Sequence, residues 1–159
     1  MADMLVKLFD LPSPAESERA LSGQDIRIVR ALAPDRSRIA QFAKTCGGQD
    51  YSDEVLSAFA NNPVTCYIAV RGKELIGFAC FEATARDFFG PMAVSEEYRG
   101  RGVGKALLLR SLWSMKEMGY GYAIIGWPTR RAVPFYEKCA GAVMIEDDSL
   151  GIYRQMIDP

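Results

Sequence analysis

The 159-residue sequence has no histidine. That removes histidine-based catalytic triads, histidine metal ligation and the commonest general base together. It also has no apolar run near the roughly 18 to 20 residues that a membrane-spanning helix needs, because Lys, Arg, Asp or Gly interrupts the longest ones. Net charge is nearly absent: 19 basic side chains face 20 acidic ones, so no global field gathers nucleic acid or an anionic membrane. A phosphate group must therefore be held by a local site. Cys46, Cys66, Cys80 and Cys139 are far apart in sequence and form no Cys-x-x-Cys pair. The start of the chain lacks the charged, apolar and small-residue regions of a secretion signal. These absences lead us to expect a soluble, cytoplasmic protein with reduced thiols, no metal, no nucleic-acid partner and no membrane partner.

About half of the residues are hydrophobic, enough for one domain with a sizeable core. We divide the chain into an N-terminal arm over 1–24 and one domain over 25–159. In the arm, Met4, Leu5, Leu8, Phe9 and Leu11 fit one side of a short amphipathic helix ended by Pro12 and Pro14, followed by a polar stretch. The arm either covers the core of its own subunit or supplies a homodimer contact or a membrane touch. In the domain we expect a strand over 26–29 and a helix from Pro34-Asp35 to Gly47-Gly48. A second helix is expected from Ser52 to Asn61-Asn62-Pro63. Strands over 65–70 and 74–83 read as a hairpin across Arg71-Gly72-Lys73. A strand over 88–94, an amphipathic helix over 102–118 and an apolar strand over 122–127 make a strand–helix–strand unit, whose two strands should be parallel. A helix over 130–139 and closing strands over 143–146 and 152–157 complete a mixed α/β pattern.

The informative segment is Arg99-Gly100-Arg101-Gly102-Val103-Gly104-Lys105, placed where the third helix of the domain begins. A helix N-terminus carries unpaired N–H groups and partial positive charge, and glycines let a phosphate approach them closely. The same glycines could instead make only a tight turn. Two familiar phosphate motifs do not fit: a Walker A loop would need glycine at Arg99 and Ser or Thr at Ala106. The dinucleotide fingerprint would need its third glycine at Lys105 or Leu107.

Arg99-x-x-Gly102-x-Gly104 after Met92-Ala93-Val94 resembles the acetyl-CoA signature of the GCN5-related N-acetyltransferase (GNAT) superfamily. Ala132-Val133-Pro134-Phe135-Tyr136-Glu137-Lys138 is similar to the family's helix after its fifth strand. The element order agrees from Ile26 to Ile157. The resemblance implies the GNAT acyl-CoA N-acyltransferase fold, a mixed, mostly antiparallel sheet of six to seven strands with one splayed parallel pair and about four flanking helices. It implies acetyl-CoA as cosubstrate, with the backbone of Met92, Ala93 and Val94 along the pantetheine arm. N–H groups of residues 100–105 would hold the pyrophosphate: Gly100, Arg101, Gly102, Val103, Gly104 and Lys105. Arg99 and Arg101 either add charge there or are plain surface residues of the turn.

Attack of an amine on a thioester needs a donor at the carbonyl and a proton source at sulfur. The resemblance places Tyr136 beside that sulfur, as general acid. The strand position that carries a glutamate in some members is Phe88 here, leaving Glu82 and Asp87 as weak candidates for a base. Thr129 stands where many members have asparagine, and Gly141 lies one residue later than usual. Cys139, with no histidine to activate it, reads as a packing thiol. The expected activity is acetyl transfer to an amine of a small molecule or peptide, which should contact the first two helices of the domain and loops such as Gly47 to Tyr51 and Trp127-Pro128. The alternative is a non-catalytic acyl-CoA-binding module.

Overall fold

In the hairpin at 66–81, the first strand is built from β-branched, aromatic and small residues, and Gly72 turns the chain at φ 58°. The computed structural model describes residues 2–159. Its strands are β1 (Met4–Lys7), β2 (Ile26–Arg30), β3 (Cys66–Arg71), β4 (Glu74–Phe81), β5 (Phe88–Val94), β6 (Tyr122–Ile125) and β7 (Val143–Met144). Its helices are α1 (Pro14–Ser22), α2 (Arg36–Gly47), α3 (Gln49–Phe59), α4 (Val103–Glu117) and α5 (Val133–Ala140). One seven-stranded sheet runs in the order β2-β3-β4-β5-β6-β1-β7. Every pairing is antiparallel except β5 with β6, the parallel pair expected of the strand–helix–strand unit.

Helices cover both faces of the sheet. Leu21 of α1 and Leu107, Leu108, Leu109, Leu112 and Met115 of α4 pack with Met4, Val6, Ile76 and Phe81. On the other face Ile39, Ala40 and Ala43 of α2 and Val55 and Ala58 of α3 pack with Ile68, Phe78 and Cys80. A bulge sorts these residues: Ala69 pairs with Gly77 and Val70 with Leu75, so Ile76 is the extra residue. Ile76 and Phe78 therefore serve opposite cores despite having the same strand parity. Each fully buried side chain of this size contributes about 1.5–3 kcal/mol, which holds both helical layers to the sheet.

The two ends of the chain depart from the sequence expectation. The helix expected over 4–11 is a strand followed by a 3-10 turn at Leu8–Asp10. Met4, Val6 and Leu8 are fully buried at a spacing of two, and Met4 pairs with Ile125 on one side and Met144 on the other. In a short apolar run the spacings of two and of 3.6 overlap, and the edge of β6 selected the strand. The segment is thus built into the sheet, and the helix of this region, α1, forms instead in the polar stretch, capped by Ser13. At the other end only Val143–Met144 pairs, and the strand expected over 152–157 is a 3-10 turn at Gly151–Gln155. The second helix begins at Gln49, three residues before the expected Ser52 cap, because Gly48 at φ 83° breaks the chain there. No helix among the described residues is long and apolar enough to cross a membrane.

Candidate functional site

β5 and β6 pair only at Phe88 with Ile124 and Phe89 with Ile125. Beyond Phe89 the register against β4 slips between Ala79 and Phe81, where Gly90 and Pro91 together stand opposite the single Cys80, and β5 bends away while β6 ends. A wedge-shaped opening results, with Phe89 at its apex. Ser95 N–H donates to the Ile76 carbonyl of β4 at 2.8 Å, which fixes the alternation of the strand. The backbone groups of Ala93 therefore turn to β4, and those of Met92 and Val94 turn into the opening. The three residues are adjacent in sequence but do not present equivalent backbone groups to the wedge.

The chain leaves β5 through a 3-10 turn at Glu96–Tyr98 and enters α4 over the glycines. Gly100 and Gly102 have φ of 75° and 90°, the left-handed region that disfavours side chains. Gly102 is the N-cap of α4 and no side chain caps that end, so the first N–H groups of the helix have no capping partner. Around this donor cluster Arg99, Arg101 and Lys105 are exposed. Arg101 lies over the Tyr98 ring at 5.0 Å, and its carbonyl accepts from Gln24 Nε2 at 3.4 Å. Val103 is buried and anchors the first turn.

Gly104 has no left-handed backbone angle and lies between α5 and β5: a Cβ there would meet Phe135 Cζ at 3.4 Å and Met92 Cε at 3.9 Å, both ordinary contact distances. That contact joins the two sequence motifs. Tyr136, next along α5, is 9% exposed, with its ring edge-on to Phe135 at 5.2 Å and to Phe89, the apex residue, at 6.2 Å. Its hydroxyl makes no hydrogen bond among the described residues. Burial, with the neighbouring Tyr51, pushes the phenol well above its ordinary pKa.

The acidic candidates lie elsewhere. Asp87 N–H donates to Glu82 Oε1 at 2.6 Å, Tyr120 donates to Glu82 Oε2 at 3.0 Å, and Ile124 N–H donates to the Asp87 carbonyl at 2.8 Å. The paired residues Phe88 and Phe89 stand between this cluster and the opening, so neither carboxylate is brought to Tyr136. Asp87 Oδ1 is buried without a partner among the described residues, and burial beside Glu82 raises the carboxyl to about 6. Burial likewise raises the Cys139 thiol, with Lys105 and Lys138 opposing, as suits a packing residue.

Asp3 and Tyr153 escaped the sequence reading, whereas the 47–51 loop and Trp127 were expected to meet the acceptor. In the α2–α3 turn Tyr51 packs on Gly47, and Cys46 is close enough to Arg99 to feel its charge. Trp127, two residues past β6, sits at φ 40° with its N–H held by Asp3 Oδ1 at 3.0 Å. Its ring stacks on Tyr153 with centroids 3.9 Å apart, and the Tyr153 hydroxyl presses on Gly126. Asp3 and Tyr153 come from the two chain ends, so no local motif could announce them. Among the described residues no group of three Cys, Asp or Glu converges on a metal-sized site. Hollows of about 320 Å³, beside Asn61 and Glu82, and of about 470 Å³, between Arg27 and Leu75, open elsewhere.

A family model described as the acetyltransferase (GNAT) family matches residues 32–142. Among solved structures, the GCN5-related glucosamine N-acetyltransferase region of a fungal multi-domain GH3 β-N-acetylglucosaminidase superposes with a TM-score of 0.71 at 13% identity, over 91% of this chain and 19% of that one. A GCN5-related N-acetyltransferase from Sphaerobacter thermophilus gives 0.67 at 15% identity, over 91% of this chain and 48% of its own. An aminoglycoside acetyltransferase from an uncultured soil metagenomic sample, solved with sisomicin, gives 0.54 at 15% identity, over 74% and 88%. The chain thus spans under half the length of the first two. At such identities the likeness is one of fold. No curated protein sequence matches the chain.

Proposed function

The chain belongs to the acetyltransferase (GNAT) family, and from that premise we propose that it transfers the acetyl group of acetyl-CoA directly to an amine of a small molecule or peptide. The observation that carries this reading is the meeting of three features at one wedge: the uncapped start of α4, the unpaired edge of β5 and the side chain of the buried Tyr136. The residues suit the donor chemically. N–H groups from Gly100 to Lys105 face a place where no side chain crowds an anion, since a Cβ on Gly100 would meet nothing within 4 Å. Arg99, Arg101 and Lys105 add positive charge at its rim. Met92 and Val94 offer backbone groups to an extended amide chain, as an added strand would take them.

In this reading the acceptor nitrogen attacks the thioester carbon at the apex, and the C–S bond breaks as the C–N bond forms. Tyr136 supplies a hydrogen bond and then a proton to the departing sulfur. Its raised pKa keeps the hydroxyl protonated throughout the neutral range. The same buried surroundings disfavour a free thiolate, which makes the sulfur a stronger proton acceptor there than in water.

Calorimetric titration with acetyl-CoA and with ATP, followed by thiol release across an amine panel, tests the reading. Acetyl-CoA should bind more tightly than ATP and at least one amine should release CoA. Tyr136→Phe should leave acetyl-CoA affinity intact and lower turnover about 10²-fold or more, the usual scale of general acid catalysis. Tight binding without release on any acceptor would identify a non-catalytic acyl-CoA-binding module instead. Unchanged turnover in Tyr136→Phe would remove the proton-donor role.

A further inference from the structure

At one end of the sheet stands β2, which pairs with β3 alone. Ala31 N–H donates to the Cys66 carbonyl at 2.9 Å, and backbone groups alternate sides along a strand, so those of Val29 and Arg27 also turn to β3. The N–H and C=O groups of Ile28 and Arg30 therefore point off the edge. Neither residue makes another backbone hydrogen bond among the described residues. The strand has no proline and its pairing no bulge, the usual obstacles to an added strand. Nor does the Arg30 guanidinium guard the edge: it lies over the Tyr67 ring and donates to the Tyr67 hydroxyl at 2.8 Å and to the Val64 carbonyl.

A hollow of about 470 Å³ adjoins this edge, between the sheet and the start of α2. Its floor is apolar, made by Val29, Ile68 and Val70 of the sheet, Leu75 at the start of β4 and Ile39 of α2. Leu32, just past β2, is 69% exposed beside it. The rim is basic. Ile26 and Ile28 pack with the α4 core, so Arg27 between them turns to the hollow, where Lys73 of the hairpin and Arg38 of α2 join it. Arg27 and Lys73 enter no ion pair among the described residues. Asp35, the one acid of the rim, is paired with Arg38 at 3.3 Å. Glu74, next to Lys73 in sequence, is engaged on the other face, where its Oε2 accepts from the Tyr98 hydroxyl at 2.9 Å.

We propose that β2 is a docking edge for an extended acidic segment of a partner protein, which lengthens the sheet by one strand. The proposal is independent of the acetyl-transfer reading. A strand laid along β2 bonds to the backbone of Ile28 and Arg30 and turns every second side chain to the hollow. An apolar side chain there meets Val29 and Ile68. Acidic side chains two residues to either side of it meet the rim, at Arg27 and Lys73 toward the hairpin and at Arg38 toward α2. A basic segment would set like charges together. A small carboxylate would gain the rim but not the edge.

The test titrates the wild type with acetyl-Thr-Glu-Thr-Leu-Thr-Glu-Thr-amide, whose threonines lie opposite Ile28 and Arg30 when the leucine enters the hollow. The controls are the peptide with lysine in place of glutamate, the peptide N-methylated at its threonines, and octanoate. The acidic peptide should bind saturably at one site, about tenfold or more tighter than any control, and several-fold more weakly at high salt. The double variant Arg27→Glu/Lys73→Glu, checked for folding by circular dichroism, should lose about tenfold or more in affinity. The wild-type titrations need no variant to fold, and absence of saturable binding by the acidic peptide overturns the proposal. Equal binding of the N-methylated peptide or of octanoate also overturns it, by showing a simple anion site without strand pairing. A folded double variant with unchanged affinity overturns it as well, since the rim would then recognise nothing.

Discussion

The Arg99 side chain reaches back five residues along the chain to the carbonyl of Val94, with Nε 3.2 Å from the oxygen. That carbonyl is one of the groups β5 turns into the wedge where β6 no longer runs, and the turn that follows the strand supplies its partner. Of the backbone groups lining the opening, the Val94 N–H and those of Met92 are left for a ligand. Arg99 also lies 3.8 Å from Glu96, an exposed pair of little energetic weight.

Arg99→Ala should therefore change stability by less than about 1 kcal/mol, as exposed substitutions do. It should weaken acetyl-CoA binding several-fold, and more strongly at low salt, where a guanidinium beside phosphate counts most. Titration at two ionic strengths decides: equal affinities for variant and wild type at both would show that Arg99 only braces the strand.

Gly102 and Gly104 should respond differently to alanine. At φ 90° a Cβ on Gly102 costs about 1–2 kcal/mol, and it sits where an anion would approach the helix end. A Cβ on Gly104 meets Phe135 Cζ at 3.4 Å, an ordinary contact, so Gly104→Ala should be close to neutral in stability. Chemical denaturation of the two variants gives the order directly, and equal midpoints would contradict it.

Gly126 makes room for the Tyr153 hydroxyl, which an added methyl would overlap. Gly126→Ala should expel Tyr153 from the Trp127 face, change the near-ultraviolet circular dichroism of the stacked pair and destabilise the C-terminal turn. Tyr153→Phe removes the overlapping oxygen, so the double variant should recover part of the loss. A coupling of about 0.5–3 kcal/mol is the range for directly touching residues. Strict additivity would mean that the two residues do not meet.

Asp87 sets a pH dependence of stability whose sign is opposite to that of a salt-bridged acid. Its folded carboxyl, at about 6, lies above the ordinary value near 3.8, so the folded state holds the proton more tightly than the unfolded one. The stabilising contribution is complete below about pH 4 and is lost as pH rises through 6. Asp87→Asn, tolerated at φ 69°, should be more stable than the wild type at pH 7.5 and lose that advantage near pH 4. The gain should stay near or below about 1 kcal/mol, since the group is partly open to solvent and screened. Thermal melts across this range that run parallel would remove Asp87 from the account.

Much of the fold was readable because its causes are local. The β3–β4 hairpin needs only Gly72 and alternating residues, α4 needs its leucines, and the parallel β5–β6 pair follows from the helix between them. The glycines at 100 and 102 were legible for the same reason, as their backbone angles admit little else. The donor half of the candidate site is made of such local features. The other side of the opening is not: Asp3 and Tyr153 come from opposite ends of the chain, and neither carries a motif.

By itself, then, the sequence determined that this chain makes a mixed sheet with a glycine-led helix start and works without histidine. Tertiary structure decided the rest. Residues 4–7 became a strand because β6 and β7 offered hydrogen-bond partners more than a hundred residues away, where helix and strand spacings alone were degenerate. Residues 151–155 became a turn rather than a strand, with Tyr153 against Trp127 and Gly126. The slip at Gly90 and Pro91 opened the wedge, a property of how β5 meets β4 and β6 together that neither strand encodes alone.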